Sequence, residues 1–132
     1  MKHLLLVTYA LLFSFLTQNA VYAVNPPNLP YTVVSGWGWH YKVPFEVVHL
    51  KEIDKLIQCE SQGKNIARPD SNGVLSYGIL QFNGTSTWGD FEAKSGILGS
   101  PMSPPYAIAM ADWAISHGYL SRWTCARITG LI

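Results

Sequence analysis

Ile53-Asp54-Lys55-Leu56-Ile57-Gln58-Cys59-Glu60-Ser61, running on through QGKNIARPDSNGVLSYGILQF to Phe82, is the stretch from which the fold is read. Ile53, Leu56, Ile57 and Glu60 recur at steps of three and four, so on a helix they share one face. That face is apolar except for its last member. Glu60 therefore stands where a core residue is expected, at a helix end facing the body of the fold. Desolvation disfavours a charged carboxyl group, so Glu60 is expected to hold its proton to higher pH than a surface glutamate. A carboxylic acid still protonated near neutrality is what a general acid needs. The plainer alternative is a surface glutamate at a frayed helix end. The apolar stripe, the adjacent Cys59 and the Gly-containing SYGILQF run that follows favour the first reading.

Working outward toward the N-terminus, residues 1–23 read as a secretory signal. Lys2 and His3 precede the apolar run LLLVTYALLFSFL, and Val21-Tyr22-Ala23 fits a small-x-small cleavage pattern. The run is interrupted and short for a membrane span, which needs about 20 apolar residues. Cleavage, with secretion and no stable membrane insertion, is expected over a retained anchor. Without Lys2, eight Lys and Arg face eight Asp and Glu, so the exported chain is near neutral. No basic run or basic-aromatic stripe is present, which argues against nucleic acid as a partner. A neutral, sugar-like ligand suits a chain rich in Trp and Tyr better.

Residues 24–46 read as an N-terminal arm. Pro26, Pro27, Pro30 and Pro44 punctuate it, and SGWGWHY ends it with a short aromatic segment. Such a segment is expected to pack on the domain, leaving the arm dispensable for activity. Trp37, Trp39 and Tyr41 have an alternative role as a sugar-stacking platform.

Beyond the first helix, expected from about residue 47 or 48 to Glu60, ARPDSNG reads as a loop with a turn at Asp70-Ser71-Asn72-Gly73. Its oxygen spacing is incomplete for a calcium loop. SYGILQF reads as a short strand or a tight turn into a helix. Thr85 or Ser86 is the expected cap of the next helix, STWGDFEAKSG, stopping at Gly96. Ser103-Pro104-Pro105 is a helix start, and PPYAIAMADWAISH runs to Gly118. Its expected core face is Ala107, Met110, Ala111, Ala114 and Ile115. The pattern is mainly helical with one short β-like or turn segment, and residues 47–132 read as one domain.

Cys59 and Cys125 are the two cysteines of the chain. In an exported protein they are expected to pair, tying the residue before Glu60 to the C-terminal segment. With His40, His49 and His117 they lack any ligand spacing, so no metal or other cofactor is expected.

Cys59-Glu60-Ser61, then Ser76-Tyr77-Gly78-Ile79-Leu80-Gln81-Phe82, then Ser86-Thr87-Trp88, then Gly118-Tyr119-Leu120-Ser121-Arg122-Trp123-Thr124-Cys125 follow one another in that order. In this the chain resembles the superfamily of lytic transglycosylases and goose-type lysozymes, and within it the resuscitation-promoting-factor branch. The resemblance covers residues 47–125. It implies a small, mainly helical α+β lysozyme-like domain with one disulfide and a cleft for the glycan strands of peptidoglycan. It also implies an enzyme acting outside the cytoplasm, as a monomer, on the MurNAc-GlcNAc bond. By the same resemblance Glu60 matches the catalytic acid and Gln81 a residue lining the sugar site, with Tyr77, Thr87 and Trp88 at further pocket positions. Gln62-Gly63 replaces the family's Gly-Gly pair. Asn83 stands where goose-type lysozymes carry an Asp, so Asp70 is the remaining candidate for a second carboxylate. One carboxyl group favours a lytic transglycosylase over a hydrolysing muramidase. A non-catalytic wall-binding module and a structural or inhibitory secreted protein are the other classes.

Overall fold

The apolar stripe forms as expected. In the computed structural model, which describes residues 31–132, helix α1 spans Leu50–Glu60 and buries Ile53, Leu56 and Ile57 completely. Its start is fixed from outside the helix. Asp112, on a later helix, accepts the backbone N–H groups of Val48 and His49 at 3.2 and 2.8 Å. A carboxylate at a helix N-terminus satisfies otherwise orphaned donors and complements the positive end of the dipole.

The expected signal segment and residues 24–30 of the arm lie outside the described residues. Residues 31–46 are not an extended arm. They carry strands β1 (Thr32–Gly36) and β2 (Trp39–Val43), paired antiparallel from Thr32 opposite Val43 to Gly36 opposite Trp39. Trp37 and Gly38 make the two-residue turn, with Gly38 supplying the positive φ of its second position. Val34 and Val43 are 0 % exposed and belong to the main core. Trp39 donates its Nε1–H to Gln58 on α1 at 2.8 Å, and the Tyr41 hydroxyl donates to the Gly63 carbonyl at 2.6 Å. The sequence signal was there: β-favouring residues on both sides of a two-residue Trp-Gly step.

The arm's expected dispensability gives way with this. Removing residues 24–44 takes two buried valines out of the core, so the expected result is loss of the folded protein. Val34→Ala or Val43→Ala is expected to lower the unfolding free energy by about 2 kcal/mol, from two buried methyl groups at ~0.8 kcal/mol each plus some cavity cost. Urea denaturation measures it, and a change below about 0.5 kcal/mol, the range of neutral surface substitutions, would mean that the hairpin is not part of the cooperative unit.

A second sheet follows α1. Strands β3 (Ala67–Pro69), β4 (Leu75–Tyr77) and β5 (Phe82–Asn83) form an antiparallel meander in that order. The expected turn at residues 70–73 closes the β3–β4 hairpin, with the Gly73 N–H donating to the Asp70 carbonyl at 2.9 Å. SYGILQF is thus both a strand and a turn, and β5 returns from it. Gly78 makes that turn possible: its φ is 77°, and a Cβ there would fall 1.9 Å from the Pro101 carbonyl oxygen.

A wide π-helical turn, Gly84–Trp88, leads into helix α2 (Gly89–Ser95), which stops at left-handed Gly96. Of the two caps expected here, the Thr85 side chain lies outside what is described, and Ser86 does not act as a capping acceptor. Its N–H and hydroxyl both donate to Asn83 Oδ1, at 3.2 and 3.0 Å. Helix α3 (Pro104–Ser116) begins directly after Ser103 and buries Ala107, Ile108, Met110, Ala111 and Ala114, with Ile115 only half-buried. Helix α4 (Thr124–Ile128) follows a short 3-10 turn, Leu120–Arg122. Four α-helices and two small sheets among the described residues make this a small α+β domain. Cys59 and Cys125 are joined in a disulfide, their Cα atoms 5.9 Å apart. Among the described residues no helix is long and apolar enough to cross a membrane.

The core is centred on Phe82. Trp88 and Trp123 meet its ring edge-on at centroid distances of 4.9 and 5.3 Å, with Phe91 at 6.3 Å. Edge-to-face packing of this kind adds to simple area burial. It also fixes β5 against the C-terminal segment, and these two elements wall the cavity described next.

Candidate functional site

Glu60 is the last residue of α1, and its position follows from the stripe beneath it. With Ile53, Leu56 and Ile57 locked in the core, the next residue on that face points into a cavity of about 420 Å³. The helix stops there because Ser61 turns back. Its buried hydroxyl donates to the Ile79 carbonyl at 2.6 Å and accepts the Gly63 N–H at 3.1 Å. Gly63 is needed in that turn: its φ is 76°, and a Cβ would collide with the Trp39 side chain.

The cavity is walled by the end of α1 (Cys59, Glu60), the β3–β4 hairpin (Arg68, Asp70, Ser71, Ser76), β5 with the π turn (Gln81, Asn83, Thr87), and the C-terminal segment (Arg122, Trp123, Thr124, Ile128). Burial pushes the Glu60 carboxyl above its ordinary pKa. The Cys125 N–H, donating to the carboxylate, and the nearby Arg68 charge pull the other way, while the negative charge of Asp70 adds to the rise. The balance is a raised pKa on a carboxyl group that faces an open cavity. Such a group keeps its proton to higher pH than an ordinary glutamate, which is the property a general acid uses.

Gln81 lines the cavity, but its amide is held by the protein itself. Its Nε2 donates to the carbonyls of Ile66 (3.0 Å) and Gly78 (2.7 Å), and its Oε1 accepts from Arg68 Nε at 2.9 Å. These bonds hold Gln81 in a left-handed conformation, φ 50°, which is costly for a residue with a Cβ. Strain of this kind clusters at functional sites, and here it shapes the wall beside Glu60.

Asp70 and Thr87 also line the cavity. Asp70 Oδ1 accepts the Ser71 N–H at 2.7 Å, so this carboxylate closes its own turn while facing the cavity. Trp88, expected at a pocket position, is 5 % exposed and packs in the aromatic core, where it has no face to offer a ligand. Tyr77 is half-buried and lies against Gly84, off the cavity wall.

Arg68 carries no signal in the sequence. Its Nη2 donates to the backbone carbonyl of Glu60, its Nε to Gln81, and its charge acts on the Glu60 carboxyl. A lone arginine in a loop gives no spacing signal, because its function depends on β3 folding back over the helix end. Among the described residues no cluster of three or more His, Cys, Asp or Glu side chains is placed to hold a metal ion. No family model, curated protein sequence or solved structure matches this chain.

Proposed function

We propose that this protein is a secreted, lysozyme-like enzyme that cleaves the MurNAc-GlcNAc bond of peptidoglycan glycan strands, with Glu60 as its one catalytic carboxyl group. The observation that carries this reading is Glu60 itself: a desolvated acid, tethered by the Cys125 N–H, at the wall of a cavity large enough for a sugar ring. The ordered motifs of residues 59–61, 76–82, 86–88 and 118–125 support the same substrate.

In this mechanism Glu60 gives its proton to the glycosidic oxygen as the bond from anomeric carbon to that oxygen breaks. The carboxylate left behind then takes the proton of the muramyl 6-hydroxyl while that oxygen attacks the anomeric carbon. The product ends in a 1,6-anhydro sugar, no water is consumed, and Glu60 is returned protonated. One carboxyl group is thus acid and then base. Arg68 and Gln81 set the geometry of the helix end, and Thr87 offers a hydroxyl to the substrate.

A hydrolytic reading has one specific observation in its favour, that Asp70 lines the same cavity. An inverting hydrolase needs a second carboxylate to position water. The two readings separate cleanly on cell walls. For the transglycosylase, products are lighter by one water than hydrolysis products, and Asp70→Asn keeps the maximal rate within about 10-fold, below the usual range of a lost acid-base group. Its effect appears instead in the pH profile. Asp70 raises the Glu60 pKa, so neutralising it lets that pKa fall and moves the alkaline limb to lower pH. Reducing-end products, together with a collapse of rate in Asp70→Asn, would show a two-carboxylate hydrolase.

A further inference from the structure

Trp37 sits at the tip of the β1–β2 hairpin, 96 % exposed. A large apolar side chain left in water at a turn gains nothing from burial. Beside it lies a shallow groove of about 540 Å³, lined by Trp37, Asp54, Lys55, Gln58, Cys59 and Ile128. Two of these, Cys59 and Ile128, also line the cavity that holds Glu60. Groove and cavity therefore share a wall.

The hairpin that presents Trp37 is held firmly. The Ser35 N–H donates to Asp54 Oδ1 at 3.2 Å, and Trp39 Nε1 donates to Gln58 at 2.8 Å, both onto α1. The Trp39 ring also packs under Gly36, so close that a Cβ there would fall 2.4 Å from it. The indole of Trp37 is thus carried on a pre-positioned support, which is what a binding site on a hairpin tip requires.

A polysaccharide cut at an internal bond must leave the cavity and continue over the surface. We infer that the strand leaves across Ile128 and lays a sugar ring on Trp37, making the groove an extra glycan subsite outside the catalytic cavity. The C–H face of a pyranose packs on an indole and on the apolar floor of the groove beside it. This inference rests on the glycan-cleaving reading of Glu60, and commits to the strand as the occupant rather than a second copy of the chain.

The test is binding without turnover. The full-length exported protein carrying Glu60→Gln is titrated with soluble, peptide-free glycan strands, from the disaccharide upward, with and without Trp37→Ala. Affinity is expected to climb with strand length in Glu60→Gln alone. Adding Trp37→Ala removes about tenfold from the longest strands and flattens the climb, the size of one aromatic stacking contact. Trp37→Phe recovers most of the loss. Thermal melting is expected to be the same in Glu60→Gln with and without the Trp37 substitution, because the Trp37 side chain is almost wholly exposed. Equal weakening of the shortest and longest strands, or no weakening, overturns the subsite. So does a Trp37→Ala protein that changes only its self-association in sedimentation, which would make the face a contact between copies. If no strand binds any variant and the wild type leaves cell walls intact, the glycan reading of Glu60 fails first and the subsite falls with it.

Discussion

Glu60→Gln is expected to reduce cell-wall cleavage by at least about 10²-fold, the low end of what a positioned general acid contributes. The substitution keeps the volume and the hydrogen-bond acceptor facing the Cys125 N–H, and removes only the transferable proton. The same change is expected to stabilise the fold at neutral pH, and the sign follows from the raised pKa. A carboxyl group whose folded pKa lies above its unfolded one favours the native state at low pH. That contribution is complete below the ordinary glutamate value near 4.5 and is lost as pH rises through the higher folded value. Glutamine does not titrate. Relative to the wild type, the variant therefore gains melting temperature above the folded pKa, and the gain shrinks to a small, pH-independent difference in acid. Melting curves across pH, run beside the cleavage assay, read both effects. Lost activity with no pH-dependent gain in stability would mean that Glu60 is solvated like a surface residue. Full activity in the variant would remove the mechanism altogether.

How much of this was legible in the sequence depends on the range of each contact. Glu60 was readable because its signal is local: three apolar residues at helical spacing fix the direction of the fourth. The turn at residues 70–73 and the stop at Gly96 were readable for the same reason. The β1–β2 hairpin is masked in the sequence by Pro26, Pro27, Pro30 and Pro44, which give the segment the composition of an arm. Val34 and Val43, whose burial decides the matter, reveal themselves only once β1 packs on α1 and β2 on α3. Motif resemblance points Trp88 at the pocket, yet it meets Phe82 edge-on in the same core cluster as Phe91 and Trp123. Such a gathering is a property of the packed chain. Arg68 is the sharpest case. Its guanidinium bridges a helix-end carbonyl and the Gln81 amide, and each partner became adjacent only when β3 paired with β4. Short-range patterns thus located the acid, whereas the residues that hold it in place were set by tertiary pairing.

Replacing Cys59 and Cys125 together by alanine is expected to cost roughly 4 kcal/mol of stability, the chain-entropy value for a closed loop of 66 residues. For a domain of this size that is a large share of the whole, which is typically about 5–15 kcal/mol. Stability is only half of the expected effect. The bridge joins the residue before Glu60 to Cys125, whose backbone N–H donates to the Glu60 carboxylate. Opening it frees the donor along with the loop. That hydrogen bond lowers the Glu60 pKa, so its weakening lets the pKa climb further under the desolvation that remains. The alkaline limb of the activity profile is then expected to move to higher pH, opposite to the shift expected of Asp70→Asn. Maximal rate falls as well, because the acid is no longer held against the cavity wall. The measurement is made at a temperature well below the melting point of the double variant, so that unfolding does not stand in for misplacement. A stability loss under about 1 kcal/mol, a typical surface or single-contact effect, would show that the helices already fix these two ends without the bond. An unchanged pH profile in a folded double variant would show that Cys125 stays in place without it, leaving the disulfide a purely structural part.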